Sequence, residues 1–135
     1  MSDDGRRHEM PEGTCSFGEL AGLVLTRIEV LEDEIRFFTE GDAFRMFHDQ
    51  RCCESVVVDS ISGNLARLIG EKILDATERS NSKGPKGHKS SGDSETWTWY
   101  TIRTQNETVT IRWYGASNGY YSESVDFVRL PKAAP

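Results

Sequence analysis

Apolar and polar residues alternate through most of the chain, and this alternation predicts about eight short β-strands. Four of them are predicted in the N-terminal half, at 24–30, 34–39, 43–48 and 52–59. The other four are predicted at 72–79, 96–104, 108–114 and 120–128. Because the connections between most successive strands are short, antiparallel hairpins are favoured over parallel crossovers.

Two short helical segments interrupt the strand pattern. Ser16 and Glu19 fit a capping box, which predicts one helical turn, and Asn64 caps a second short helix at 65–69. The predicted fold is α+β and mainly antiparallel β. We expect a meandering sheet that curls into a roll or a partly open barrel, with the short helices covering one end.

The length of 135 residues fits one domain, which we place at 16–130. Residues 1–15 lack periodicity and are interpreted as a flexible arm, and residues 131–135 as a tail. A mobile loop inside the domain is predicted at 81–94, where Ser, Gly and Lys dominate.

The composition argues against a membrane-spanning protein, a disulfide-rich protein and a protein that binds nucleic acid directly. No apolar run approaches the roughly 20 residues that a membrane-spanning helix needs. The three cysteines are an odd number, and no apolar leader precedes them, so we expect a reducing cytoplasm rather than a disulfide framework. The net charge of −6 argues against direct nucleic-acid binding, which depends on neutralising phosphates with Lys and Arg.

Candidate chemistry concentrates between the third and fourth predicted strands. His48, Cys52 and Cys53 lie close together there, and thiolate and imidazole are the ligands that zinc prefers. Both cysteines can face one ion only if the backbone bulges or turns. The sequence therefore suggests a zinc site, whose fourth ligand would be water or one of several residues: Glu54, Glu123, His88 or Cys15.

Three other interpretations of this stretch stay open. His48 can be a hydrogen-bonded core histidine beside cysteines that act as small buried hydrophobic residues. Cys52 and Cys53 can form a vicinal disulfide, which is uncommon. Cys53 and His48 can also form the thiolate–imidazole pair of a thiol-dependent enzyme, although the rest of the chain contains no recognisable oxyanion hole or phosphate loop.

Two surface segments are candidates for contact with a partner. Acidic residues gather near the predicted turn at Glu32, Asp33 and Glu34, and aromatic residues flank a Gly-containing turn at Asn118, Gly119, Tyr120 and Tyr121. Aromatic tips give a large contact area at low entropic cost, and acidic tips suit a basic partner. The alternatives are a solvated edge that resists aggregation and aromatic rings that pack into the core.

Three strings in the chain resemble an uncharacterised domain family of small proteins carried by bacteriophages and prophages. The strings are HDQRCCESV at 48–56, GNL and LIG at 63–70, and TIRWYGASNGYYSESV at 110–125. The resemblance covers about residues 20–128 and leaves out the arm and the Lys-rich loop.

The resemblance implies a phage accessory protein in the cytoplasm of a bacterial host. Its relation to small anti-CRISPR inhibitors implies a non-catalytic protein that binds and blocks a host defence protein such as a Cas effector nuclease. It also implies that His48, Cys52 and Cys53 would inherit any zinc. We expect a monomer or homodimer that contacts neither nucleic acid nor membrane. A thiol-dependent enzyme and a structural phage protein are the alternatives.

Overall fold

The computed structural model of the protein describes residues 11–83, 94–119 and 121–131. Within these ranges the chain forms eight β-strands and two short 3₁₀ helices, Phe17–Leu20 and Leu65–Leu68. The strands are β1 (Arg27–Leu31), β2 (Glu34–Phe38), β3 (Asp42–Phe47), β4 (Ser55–Ser62), β5 (Asp75–Asn81), β6 (Ser94–Arg103), β7 (Thr108–Ser117) and β8 (Asp126–Pro131).

The strands are divided between two four-stranded antiparallel sheets, which do not close into a barrel. The first sheet has the order β1-β2-β3-β8, and the second has the order β4-β7-β6-β5. The prediction of a mainly antiparallel β fold with two short helices is confirmed. No helix in the described ranges is long and apolar enough to cross a membrane.

The hydrophobic core lies between the two sheets. Alternate side chains of β2, β3, β6 and β7 point inward, as expected for strands with one buried face, and Phe37, Phe44, Tyr100, Ile111 and Trp113 are almost completely buried. The Trp113 indole donates a hydrogen bond to the Met46 sulfur at 3.1 Å, which joins the two sheets across the core. The first 3₁₀ helix adds Phe17, whose ring packs on Tyr100.

The chain crosses between the sheets twice. Residues 48–54 lead from β3 in the first sheet to β4 in the second, and residues 118–125 lead from β7 back to β8. All other connections stay within one sheet. These two crossings therefore determine how the sheets are positioned relative to each other.

Two predicted strands differ from the structure at the crossings. The fourth begins at Ser55 rather than at residue 52, because the backbone N–H groups of Arg51 and Cys52 donate to the Glu54 side chain instead of a strand ladder. The last begins at Asp126 rather than at residue 120, because the preceding residues are held against β7 by side-chain hydrogen bonds.

The chain ends and the long loop are only partly described. Residues 13–15 were assigned to a flexible arm, yet they lie along β8: Thr14 forms a β-bridge with Val128, and the Arg129 N–H donates to the Gly13 carbonyl. Residues 1–10, most of the predicted loop at 81–94 and the last four residues of the predicted tail lie outside the described residues.

Candidate functional site

The two crossings meet at His48, which is the first residue after β3. Its Nε2 atom lies 2.8 Å from Glu54 Oε2, just before β4, and its Nδ1 atom lies 2.6 Å from the carbonyl oxygen of Ser124, just before β8. The His48 side chain is 1% exposed. One imidazole thus connects the segments that enter and leave the second sheet.

Glu54 organises the first crossing. Its buried carboxylate accepts hydrogen bonds from the Arg51 N–H at 2.9 Å and the Cys52 N–H at 3.0 Å, in addition to the contact with His48. The Gln50 side chain donates to the Glu54 carbonyl oxygen at 2.5 Å. Burial alone would raise the pKa of Glu54, but these hydrogen bonds outweigh it and lower the pKa to about 2.

The two hydrogen-bond partners of His48 are both acceptors. The Ser124 carbonyl can only accept, and the Glu54 carboxylate is ionised at neutral pH and can also only accept. His48 and Glu54 form a buried hydrogen-bonded pair, and the backbone N–H groups of Arg51 and Cys52 bond to the same carboxylate.

The adjacent cysteines lie on the solvent side of this crossing. Cys52 and Cys53 are exposed, and the structure joins their sulfur atoms in a vicinal disulfide. The turn made by the Glu54 hydrogen bonds brings both side chains to one side of the backbone, where a regular strand would point them apart. Cys15 is the free cysteine and is partly buried.

The three predicted zinc ligands have other partners in this structure. Both His48 nitrogens are hydrogen-bonded, and the sulfur atoms of Cys52 and Cys53 are bonded to each other. Among the residues that the structure describes, no group of three His, Cys, Asp or Glu side chains is arranged around a common point as metal ligands would be. The zinc site at His48, Cys52 and Cys53 stays a prediction.

The second crossing is held by Glu123. Its carboxylate accepts hydrogen bonds from Thr96 Oγ1 at 2.7 Å and Ser117 Oγ at 2.5 Å, which fix the segment across β6 and β7. Gly115 permits this close approach, because a Cβ atom there would lie 2.8 Å from the Glu123 carbonyl oxygen. Residues of the string at 110–125 thus hold the segment that returns to β8 in place.

The three predicted acidic contact residues differ in their surroundings. Asp33 accepts a hydrogen bond from the Val58 N–H at 3.3 Å, and its positive φ of 55° makes the β1–β2 turn. Glu34 bonds to Arg36 at 2.6 Å and to Arg45 at 2.8 Å, and the hydrogen bond from Arg45 lowers the Glu34 pKa most. Glu32 is exposed at the tip and has no bonded partner among the described residues.

The predicted aromatic tip is described in part. Asn118 and Gly119 are exposed at the end of β7, and Gly119 has a φ of 90°, which favours glycine. The Gly119 N–H donates to Ser117 Oγ at 2.9 Å. Tyr121 is half-buried, and Tyr120 lies outside the described residues. This turn therefore belongs to the same hydrogen-bonded structure as Glu123.

Glu54 is the residue whose structural importance sequence reasoning missed, since it entered as a possible metal ligand or as an orienter of a Cys53–His48 pair. One signal in the sequence could have identified it. Glu54 has the same strand phase as the buried Val56, and His48 has the same phase as the buried Met46. A carboxylate and an imidazole at inward positions on either side of one connection indicate an interior pair.

A family model described as "Domain of unknown function (DUF7448)" matches residues 19–127. This range includes every residue of both crossings. No curated protein and no solved structure matches the chain.

Proposed function

The chain belongs to the DUF7448 family, and we propose that it is a non-catalytic binding protein of phage type that docks on a larger host defence protein and blocks it. A Cas effector nuclease is the partner that we infer, in the manner of an anti-CRISPR inhibitor. The observation that carries the proposal is an exposed apolar tip on an edge strand.

That tip consists of Val30, Leu31 and Glu32, at the end of β1. Val30 is 54% exposed although its cross-strand neighbour Ile35 is fully buried, and Leu31 is 43% exposed. β1 is an edge strand whose described partner is β2 alone, so its other side offers unpaired backbone groups. An apolar, unpaired edge is a liability unless a partner covers it.

Side-chain contacts hold the turn beside the tip in place. The Asp33 hydrogen bond to Val58 ties the turn to the second sheet, and the ion pair of Glu34 with Arg45 ties β2 to β3. A preorganised surface loses little conformational entropy on binding, which favours affinity. Glu32 adds a negative charge that suits a basic partner.

The geometry at His48 favours binding over the alternative of a thiol-dependent enzyme. A thiolate–imidazole pair needs a free thiol and a histidine nitrogen able to take its proton. Cys53 is in a disulfide, and both nitrogens of His48 are already hydrogen-bonded, one to Glu54 and one to Ser124. In this form the pair has neither a nucleophile nor a base.

The test uses the full chain and a panel of purified Cas effector nucleases from bacteria that carry related prophages. We expect co-elution with one effector and loss of its DNA cleavage. Covering the exposed parts of Val30 and Leu31 contributes about 1 kcal/mol each, so the double change Val30→Ser and Leu31→Ser should weaken binding about 30-fold.

The matched control is Leu130→Ser. Leu130 is 42% exposed on β8, the opposite edge strand of the same sheet, and its replacement should leave binding unchanged. A chain that neither binds nor inhibits any effector of the panel contradicts the proposal. A dimer that dissociates on changing Val30 and Leu31 would instead favour the structural phage protein, because a second copy would then cover the tip.

A further inference from the structure

A polar cavity opens between the two sheets. Its volume is about 320 Å³, and it lies between β5 and β6 of the second sheet and the start of β8 in the first. Glu78, Thr98, Tyr100 and Asp126 line it, and Cys15 lies at its edge. The volume is at the lower end of the range for small-molecule sites.

Two hydroxyl groups of the cavity have no hydrogen-bond partner in the described parts of the chain. Tyr100 is 1% exposed and Thr98 is 6% exposed, yet no side-chain hydrogen bond satisfies either hydroxyl, and neither oxygen is sealed from the cavity. Buried hydroxyl groups almost always have a partner. Two that lack one, on neighbouring inward positions of β6, indicate that a ligand or water supplies it.

The charges around these hydroxyls are negative. Glu78 pairs directly with Tyr100 across β5 and β6, and Asp126 faces them from β8. Burial raises the pKa of Tyr100, and the carboxylates of Glu78 and Asp126 raise it further. No Lys or Arg is among the residues that line the cavity.

We propose that this cavity binds a small organic cation whose ammonium or guanidinium group donates hydrogen bonds to Tyr100, Thr98 and the carboxylate of Glu78. An ammonium carries three donors and no acceptor, and a guanidinium carries five donors, which suits a site where a carboxylate lies beside hydroxyl oxygens that can accept. A metal ion suits it less, because hydroxyl groups are weak ligands and the described residues form no metal-binding group here. The proposal is independent of the docking function above.

Two kinds of molecule carry such a cationic group: a free amine, and another protein through a Lys or Arg side chain. Titration of the isotope-labelled full chain, followed by backbone amide NMR, separates them. The probes are 1,5-diaminopentane, lysine blocked at both backbone ends, and neutral 1,5-pentanediol. We expect the charged probes to shift the amides of Glu78, Tyr100 and Asp126, and the diol to leave them unchanged.

Three variants locate the site. Tyr100→Phe and Thr98→Val remove one hydroxyl each with little change in shape and should weaken binding of the charged probe about fivefold. Glu78→Gln, at an exposed position that should tolerate it, should weaken binding by about the same factor. Glu12→Gln, an exposed acid that does not line the cavity, is the matched control and should change nothing.

The outcomes divide clearly. Binding of the diamine and of blocked lysine supports the site with a free amine as a sufficient ligand, and binding of blocked lysine alone supports it as a pocket for a partner's side chain. Equal shifts with the diol, or equal affinity for the wild type and the Glu78→Gln variant, would overturn the proposal. If Tyr100→Phe does not fold, the comparison of Glu78→Gln with its control Glu12→Gln still tests the proposal.

Discussion

Replacing Glu54 by Gln tests whether the buried Glu54 carboxylate holds the first crossing in place. The change keeps the size of the side chain and removes its charge. The amide can accept at one end only, so its NH₂ group would face a backbone N–H of Arg51 or Cys52 that now bonds to the carboxylate. His48 would also lose a charged hydrogen-bond partner inside the protein.

The size of the effect follows from the pKa. Hydrogen bonds lower the Glu54 pKa from 4.5 to about 2, despite burial. A difference of about 2.5 pKa units, at about 1.4 kcal/mol each, means that ionised Glu54 stabilises the folded state by about 3 kcal/mol at neutral pH. That is a large part of the 5–15 kcal/mol typical of whole domains. We therefore expect Glu54→Gln to lower the free energy of unfolding at pH 7 by about 3 kcal/mol.

The pH dependence gives a second, independent check. Because the folded-state pKa is depressed, the stabilisation is complete above the unfolded pKa of 4.5 and is lost as the pH falls towards 2. Urea denaturation of both proteins at pH 7 and at about pH 2.5 measures it. The difference in the free energy of unfolding between wild type and Glu54→Gln should be largest at pH 7 and should mostly disappear at the lower pH. The other carboxylates titrate in both proteins, so their contribution cancels in this difference.

The control is Asp49→Asn, an exposed carboxyl in the same crossing with no hydrogen bond in the described structure. It should change stability by less than about 0.5 kcal/mol at either pH. A Glu54→Gln protein that is as stable as the control at pH 7 would refute the reasoning, as would a gap that is the same at both pH values.

Two further predictions concern the backbone at the second crossing and the cysteines. Gly115→Ala should lower the free energy of unfolding by about 2 kcal/mol, because its Cβ would lie 2.8 Å from the Glu123 carbonyl oxygen, whereas Gly41→Ala, with open space around it, should be almost neutral in the same urea titration. Thiol titration of the unfolded, unreduced protein should find one free thiol, that of Cys15, and three after treatment with a dithiol reductant. Three thiols before reduction would show that the Cys52–Cys53 bond is absent in solution.

The sequence predicted β2 and β3 to within one residue at each end. Ile35 and Phe37 alternate with polar residues in β2, as Phe44 and Met46 do in β3, and all four are buried as the period-two pattern requires. Such strands are specified by local pattern alone. The same pattern also continues from Tyr121 to Phe127, where the structure has no strand until Asp126.

The failures at both crossings have one physical cause. A glutamate side chain holds the chain at each crossing: Glu54 accepts two backbone N–H groups that a strand ladder would otherwise use, and Glu123 accepts two hydroxyl groups of β6 and β7. Whether an acid bonds to neighbouring residues or faces solvent depends on what the fold places beside it. Periodicity does not contain that information, so the stretch at 48–53 was recognised as special while the hydrogen bonds of Glu54 were not predicted.

The same contacts bear on where function lies. Two of the three strings that carry the resemblance, at 48–56 and 110–125, meet at His48, where side chains of one bond to the other and to their own loop. Residues whose side chains bond to other parts of the same chain are poor candidates for contact with a partner. Two places where side chains or hydroxyl groups are open to a ligand are the tip at 30–32 and the cavity beside Tyr100. It follows that substitutions at the crossings should change stability, and binding only through it, whereas substitutions at the tip should change binding while the free energy of unfolding stays the same.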